Sequence, residues 1–333
     1  MNKLNEKTLN TLLSTFGPSG NEGAVREFIK AEIKDYVDEI TEDALGNLIA
    51  RKKGSGKKIM LAGHMDQIGF MVTFIDKKGF LRFTNIGGIS PTISLSQRVV
   101  FDNGTLGVIG SEHLENIKDL KLDKMYIDIG ANSKEEAEKI VSIGDVCGYH
   151  STPIIDDVKV ISPSLDDRIG CYIMMETIKN MKSSPNDLYF VFTVQEELGL
   201  RGAKTSAYSV EPDIGIAYDV TMTGDTPKAR TMDLKMGEGF AIKAKDNSMI
   251  SHPGLKNYLV KEAKSPKQNY QIEVLEFGGT DSGAIHLSKE GVPSSVISIP
   301  TRYIHSTCEM VSTKDVLGAI NYSMELLTTN FDF

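Results

Sequence analysis

Four short apolar runs along this chain each hand over to a histidine or an acid. Lys57 to Gly63 runs into His64-Met65-Asp66, and Leu188 to Val194 into Gln195-Glu196-Glu197. Asp213 to Tyr218 runs into Asp219, and Ser294 to Ile299 is followed shortly by His305. Runs of this length and polarity read as buried strands. Helical patterns separate them at Gly170 to Met181, Gly202 to Tyr208, Leu255 to Ala263, Ser282 to Lys289 and Thr313 to Thr328. Such alternation predicts an α/β fold in which a mixed or mostly parallel sheet is sandwiched by helices. In open α/β sheets the ligand site lies beyond the carboxyl ends of the strands. The strand-end residues therefore converge on one edge, joined by Asp166-Asp167 just ahead of the helix that starts near Gly170.

The N-terminal part adds two helices. Leu9, Leu12, Leu13 and Phe16 share helical spacing until Gly-Pro-Ser-Gly at 17 to 20 breaks the chain. Asn21 reads as the cap of a second helix with the stripe Val25, Phe28, Ile29, Ile33, Tyr36 and Val37. A turn at Leu45-Gly46-Asn47 leads into a strand, Leu48 to Arg51, and a later strand is read at Gln271 to Leu275. The stretch from 69 to 160 differs. It holds the β-rich pieces Phe70 to Ile75, Phe80 to Asn85, Arg98 to Phe101 and Gly107 to Ile109, with hairpin turns at Asp76 to Gly79 and Asp102 to Gly104. One helix, Lys134 to Ile140, interrupts it. The predicted organisation is a catalytic domain of residues 1–68 plus 161–333, with a β-rich domain, 69–160, inserted.

Composition narrows the function. A net charge of −8 without a basic run argues against nucleic acid or an anionic membrane as the main partner. Three scattered cysteines, Cys147, Cys171 and Cys308, match no zinc-finger spacing and suit reduced thiols in the cytoplasm. The polar residues among Met1 to Thr15 read as a helix and not a signal peptide, and no apolar run approaches a membrane span.

Two histidines and several carboxylates on one sheet edge form a ligand set for Zn²⁺, Co²⁺ or Mn²⁺. A shared carboxylate can bridge two such ions roughly 3.5–4 Å apart. His64 and Asp66 stand two residues apart, so Asp66 can accept the second imidazole N–H of His64. Of Glu196 and Glu197, one can ligate while the other stays free to move a proton. Each signal has a plainer reading: a structural His-Asp hydrogen bond, a solvated Glu pair at a helix start, an Asp pair capping a helix, a His on a loop. Their joint placement after buried strands favours chemistry, because charges there need partners or metals.

At these residues the sequence resembles the tetrahedral metallo-aminopeptidases, the family of bacterial glutamyl aminopeptidases, some of whose members carry endoglucanase or cellulase labels. The motifs are Ala62-Gly63-His64-Met65-Asp66, Leu165-Asp166-Asp167-Arg168-Ile169-Gly170, Gln195 to Ala203, Gly278 to Ala284 and Arg302-Tyr303-Ile304-His305-Ser306. The resemblance implies two divalent ions per subunit, held by His64, Asp166, Glu197, Asp219 and His305, with Asp166 bridging. It implies Glu196 as the general base, Asp66 as the partner of His64, and a cis Asp166-Asp167 peptide. It further implies that the insert is a β-barrel used in oligomerisation, and that twelve subunits, built up from dimers, form a hollow shell admitting short peptides. Gln67 stands where many relatives carry Glu, and Ser306-Thr307-Cys308 replaces a more usual Ser-Pro step, with Cys308 read as a buried small residue.

Rival readings remain within reach of the residues. A metal-dependent deacylase or carboxypeptidase would use the same ligands. A glycoside hydrolase could use the Glu196-Glu197 pair, but the chain has no Trp for stacking on sugars. A scaffold with structural zinc would be Cys-rich and closed. Gly278 to Gly283 lacks the Lys-Ser/Thr of a phosphate loop. The preferred N-terminal residue is not legible.

Overall fold

The computed structural model describes residues 1–264 and 268–333, and strand Lys58–His64 lies at the heart of its 11-stranded sheet. Asp187–Thr193 runs parallel to it on one side, and Ile214–Thr221 then Ser294–Arg302 run parallel on the other. Antiparallel strands complete both flanks. Leu48–Lys52 and Glu39–Glu42 extend one. Phe240–Lys245 and Glu309–Ser312 pair with Ser294–Arg302 on the other.

Alternation along the strands explains why both faces are covered. Ile59 and Leu61 belong to the larger core, while Met60 and Ala62 belong to a second core on the opposite face. Leu188, Phe190 and Phe192 repeat the first set, and Val191 the second. A strand buried on both faces reads as a continuous apolar run, which is why these four were legible. Helices Glu6–Ser14, Gly23–Ile33, Leu165–Asn180 and Thr313–Leu326 cover the larger core. Arg201–Val210 and Ser282–Ile285 cover the smaller. The predicted α/β architecture, a mixed sheet between helices, is the one observed.

The insert is a closed barrel of six antiparallel strands, ordered Gly69–Ile75, Leu81–Ile86, Met125–Asp128, Leu106–Ser111, Arg98–Phe101 and Val146–Tyr149. Phe70 anchors its core, edge-on to Phe83 at 5.1 Å and to Tyr149 at 5.3 Å between ring centroids. Asp76 shapes the first hairpin, its carboxylate accepting from Lys78 and Phe80 N–H while Gly79 takes φ +90°.

Several boundaries differ from the sequence reading. The returning segment leaves the barrel before residue 160: Ile154–Ile155 pairs with Lys159–Ser162, which pairs with Glu309–Ser312 of the large sheet. Asp219 lies inside its strand, which continues to Thr221, and not beyond its end. The helix expected over 282 to 289 stops at Ile285, where Ser288 to Gly291 turn the chain and Gly291 takes φ +103°. The helix expected over 134 to 140 ends at Ala137. The first helix ends at Ser14, so Phe16 lies outside it. Asn21 does not cap the second helix; Glu22 holds that position, and its carboxylate accepts from Gly20 and Gln195 N–H. Tyr36 and Val37 fall beyond that helix. No helix among the described residues is long and apolar enough to cross a membrane.

Candidate active site

His64 closes the central strand and is only 2% exposed. Its Nδ1 lies 3.0 Å from the Asp66 carbonyl oxygen and 3.5 Å from the Asp66 carboxylate. The backbone of Asp66 is thus the nearer partner of the ring. The Asp66 carboxylate instead accepts from the N–H groups of Glu196, at 3.0 Å, and Glu197, at 3.3 Å, and from the Ser19 hydroxyl, at 2.6 Å. One buried side chain therefore ties the His64 strand to the Glu196-Glu197 turn.

Asp166 sits at the centre. One of its oxygens lies 3.1 Å from His64 Nε2 and the other 3.3 Å from His305 Nε2. His305 Nε2 is also 3.0 Å from Glu197 Oε1, and Glu196 Oε2 lies 3.9 Å from His64 Nε2. The Asp166-Asp167 peptide is cis. Neither residue has helical backbone angles, so the regular helix begins after them. Asp167 accepts from His64 N–H at 3.1 Å and from Gly170 N–H at 3.0 Å. Two groups of donor atoms lie close enough to share a cation: His64, Asp166 and Glu197, and His64, Asp167 and Asp219. Because Asp167 is already committed to two backbone amides, Asp166 is the better candidate for a carboxylate shared between two ions.

The electrostatics ask for cations. Burial pushes the carboxyls of Glu196, Asp219 and Asp167 well above the ordinary range, and neighbouring carboxylates push the same way. Burial also opposes the charge on His305, yet its hydrogen bonds to Asp166 and Glu197 outweigh this and leave it pushed up to about 12. His64 is raised likewise against its burial, by Asp166 and Asp66. Five carboxylates of Asp166, Asp167, Glu196, Glu197 and Asp219 thus hold protons, or draw them onto two imidazoles, in a space suited to divalent ions. The donor set fits such ions.

Four further residues shape the site, and of these the sequence reading quoted only Arg168, as part of a motif. Glu309, fully buried, accepts from Asp166 N–H at 3.0 Å and from His305 N–H at 2.8 Å, so it fixes the two backbones that present the Asp166 carboxylate and the His305 imidazole. His305 itself is held at φ +61°. Gly87 and Gly88, in the loop that follows barrel strand Leu81–Ile86, lie against the site: a Cβ on Gly87 would stand 2.9 Å from Glu197 Oε2, and one on Gly88 would stand 2.8 Å from His305 Nδ1. Arg168, wholly buried, donates to the carbonyls of Met65, Leu12 and Thr15 and pins the first helix to the site. Spacing from His305 could have flagged Glu309; nothing local flags the glycines. Gln67 is turned toward Gly148 of the barrel, and Cys308 is exposed, contrary to the expected burial.

The M42 glutamyl aminopeptidase family model matches residues 46–321. The chain belongs to that family. It is 53% identical to a putative aminopeptidase of Acetivibrio thermocellus over 97% of this chain and all of that one. It is 34% identical to the lysyl aminopeptidase of Pyrococcus furiosus, covering 95% of this chain and 94% of the relative. Among solved structures, the aminopeptidase of Desulfurococcus kamchatkensis superposes with a TM-score of 0.93 at 38% identity, covering 97% of this chain and 94% of that one. The Pyrococcus horikoshii TET1 peptidase, described as assembling into a tetrahedron or a large octahedral shell, gives 0.87 at 33% identity, with 96% and 98% covered. As an M42 aminopeptidase, the chain is a metal-dependent hydrolase acting on peptides, and its cavity of about 520 Å³ opens over the Asp166 cluster.

Proposed function

We propose that this M42 enzyme removes N-terminal residues from short peptides with two ions, His64, Asp166 and Asp219 holding one and Asp166, Glu197 and His305 the other. The observation that carries this reading is Asp166 reaching two imidazoles with its two different oxygens, at 3.1 and 3.3 Å. Zn²⁺, Co²⁺ or Mn²⁺ bound there supplies Lewis-acid polarisation of the scissile carbonyl and acidifies a water. Glu196 lines the cavity and is set in place through its backbone by Asp66. It takes the proton of the attacking water and returns it to the leaving amine. Glu197 and Asp219 place negative charge near the substrate's free ammonium, which favours cleavage next to an unblocked N-terminus over carboxypeptidase or deacylase action.

We also place the enzyme in a homo-oligomer in the cytoplasm. The shells described for the horikoshii relative support the assembly, as do Phe74, Leu106, Val108 and Ile143, large apolar residues left exposed on the barrel. The three cysteines are free.

The test is release of p-nitroaniline from a panel of aminoacyl-p-nitroanilides, before and after chelation and with Co²⁺ or Zn²⁺ restored. Chelator-sensitive release from free but not N-acetylated substrates is expected. Release from acetylated substrates alone would transfer the reading to a deacylase.

A further inference from the structure

The cavity is lined by two kinds of side chain. One is the acids and imidazoles around Asp166. The other is Met222, Leu275 and Phe277, together with Lys243 and Thr280. A substrate held by its amine and scissile carbonyl at the acids and imidazoles leaves its N-terminal side chain to be received by the rest of the lining.

Lys243 looks at first like a receptor for an acidic side chain. It is 1% exposed, and its charge is already used. Its Nζ lies 2.5 Å from Glu273 Oε1 and 3.3 Å from Asp246 Oδ2. The Thr221 hydroxyl donates to the same Glu273 oxygen at 2.8 Å. One ammonium against two carboxylates leaves this buried group one charge negative. Asp246 Oδ1 accepts from Ser248 N–H, the Ser248 hydroxyl and Met249 N–H, but these neutral donors leave the count of charges unchanged, and Oε2 of Glu273 has no hydrogen-bond partner among the described residues. A third carboxylate entering the cavity would meet that net negative charge in a poorly screened place. A basic side chain fares no better, because the member of the cluster that lines the cavity is the cationic Lys243, and neither Glu273 nor Asp246 lines it. Thr280, 2% exposed, adds a neutral hydroxyl that has no hydrogen-bond partner among the described residues. The aromatic wall is firm: the Arg230 guanidinium stacks on the outer side of Phe277 at 4.6 Å.

We infer that the Lys243–Glu273–Asp246 cluster makes this part of the cavity a pocket for uncharged, medium to large apolar N-terminal residues such as leucine and methionine, and sets it against both glutamate and lysine. This rests on the aminopeptidase reading above and gives it a substrate class.

The experiment has two arms on the metal-restored full chain. The first measures kcat/KM for Leu, Met, Glu and Lys p-nitroanilides. Leucine and methionine should exceed glutamate and lysine by about tenfold or more. In Glu273→Gln, with Asp246→Asn as a second variant, one competing charge is removed from Lys243. The Glu-to-Leu ratio should then rise by roughly tenfold, with an unchanged melting temperature showing that the fold persists. The second arm needs no turnover: calorimetric binding of free L-leucine, L-glutamate and L-lysine to the wild type. Leucine binding tightest supports the pocket even if no anilide is cleaved, an outcome that would sink the mechanism alone. Glutamate or lysine bound or cleaved as well as leucine, or a ratio that stays put in both folded variants, overturns the inference.

Discussion

At the scale of single residues, the separation between groups that react and groups that hold is the testable matter. Replacing Glu196 by Gln keeps the shape and the backbone hydrogen bond to Asp66 but removes the proton acceptor. It should lower kcat by about 10²–10⁴-fold with metal content unchanged, checked by elemental analysis beside steady-state kinetics; near-normal turnover would remove Glu196 from its role. Glu309→Gln is expected to act differently. The amide can satisfy only one of the two N–H groups that the carboxylate now accepts from Asp166 and His305. Metal affinity should fall about 10–100-fold, measured by competition with a chromophoric chelator, while activity at saturating metal recovers in part. The proton balance is also predictable. His64 and His305 are raised above their ordinary range by carboxylates that outweigh burial, so both carry protons in the metal-free protein at neutral pH. Metal must displace those protons. Affinity should therefore rise with pH, and calorimetry in buffers of different ionisation enthalpy should show proton release. A pH-independent affinity would contradict the protonated imidazoles. The sequence exposed His64, Glu196, Glu197 and His305 because each follows a continuous apolar run. It hid Glu309, whose partners are 143 residues away in one case and four in the other, and whose own strand is short.

At the scale of elements, the turns that touch the site matter more than their length suggests. Gly88→Ala should push His305 off its partners, since the added Cβ would meet the ring at 2.8 Å. Loss of most of the activity with little change in barrel folding is the expected result, read from kinetics beside near-ultraviolet circular dichroism; full activity would mean that this loop yields freely. Central strands were legible because burial on both faces makes them uniformly apolar. Flanking strands such as Glu39–Glu42, Phe240–Lys245 and Glu309–Ser312 were missed, since their side chains alternate or carry charge and their identity comes from the neighbours they pair with. The barrel's two unpredicted strands, Met125–Asp128 and Val146–Tyr149, are only four residues each and close the ring by pairing at a distance. Asp219 was found, but its place within a strand was not, because a charged residue inside a buried strand contradicts the pattern unless something outside the protein chain compensates it.

At the scale of the whole molecule, one catalytic edge is assembled from segments spread along almost the entire sequence, and the barrel interrupts the sheet it serves. Strand Lys58–His64 precedes the barrel, whereas its parallel neighbours Asp187–Thr193 and Ile214–Thr221 follow it. During synthesis, His64 therefore leaves the ribosome long before the carboxylates it will face. The barrel has its own core, and Gly87 and Gly88 lie between two of its strands, Leu81–Ile86 and Arg98–Phe101. Asp166, Glu197 and Asp219 arrive afterwards, and the second imidazole comes only with His305. A growing chain is thus an inert polypeptide for most of its synthesis. The candidate ligand set is complete only once His305 has been made, so a chain stopped before that residue lacks the second imidazole whatever else has folded.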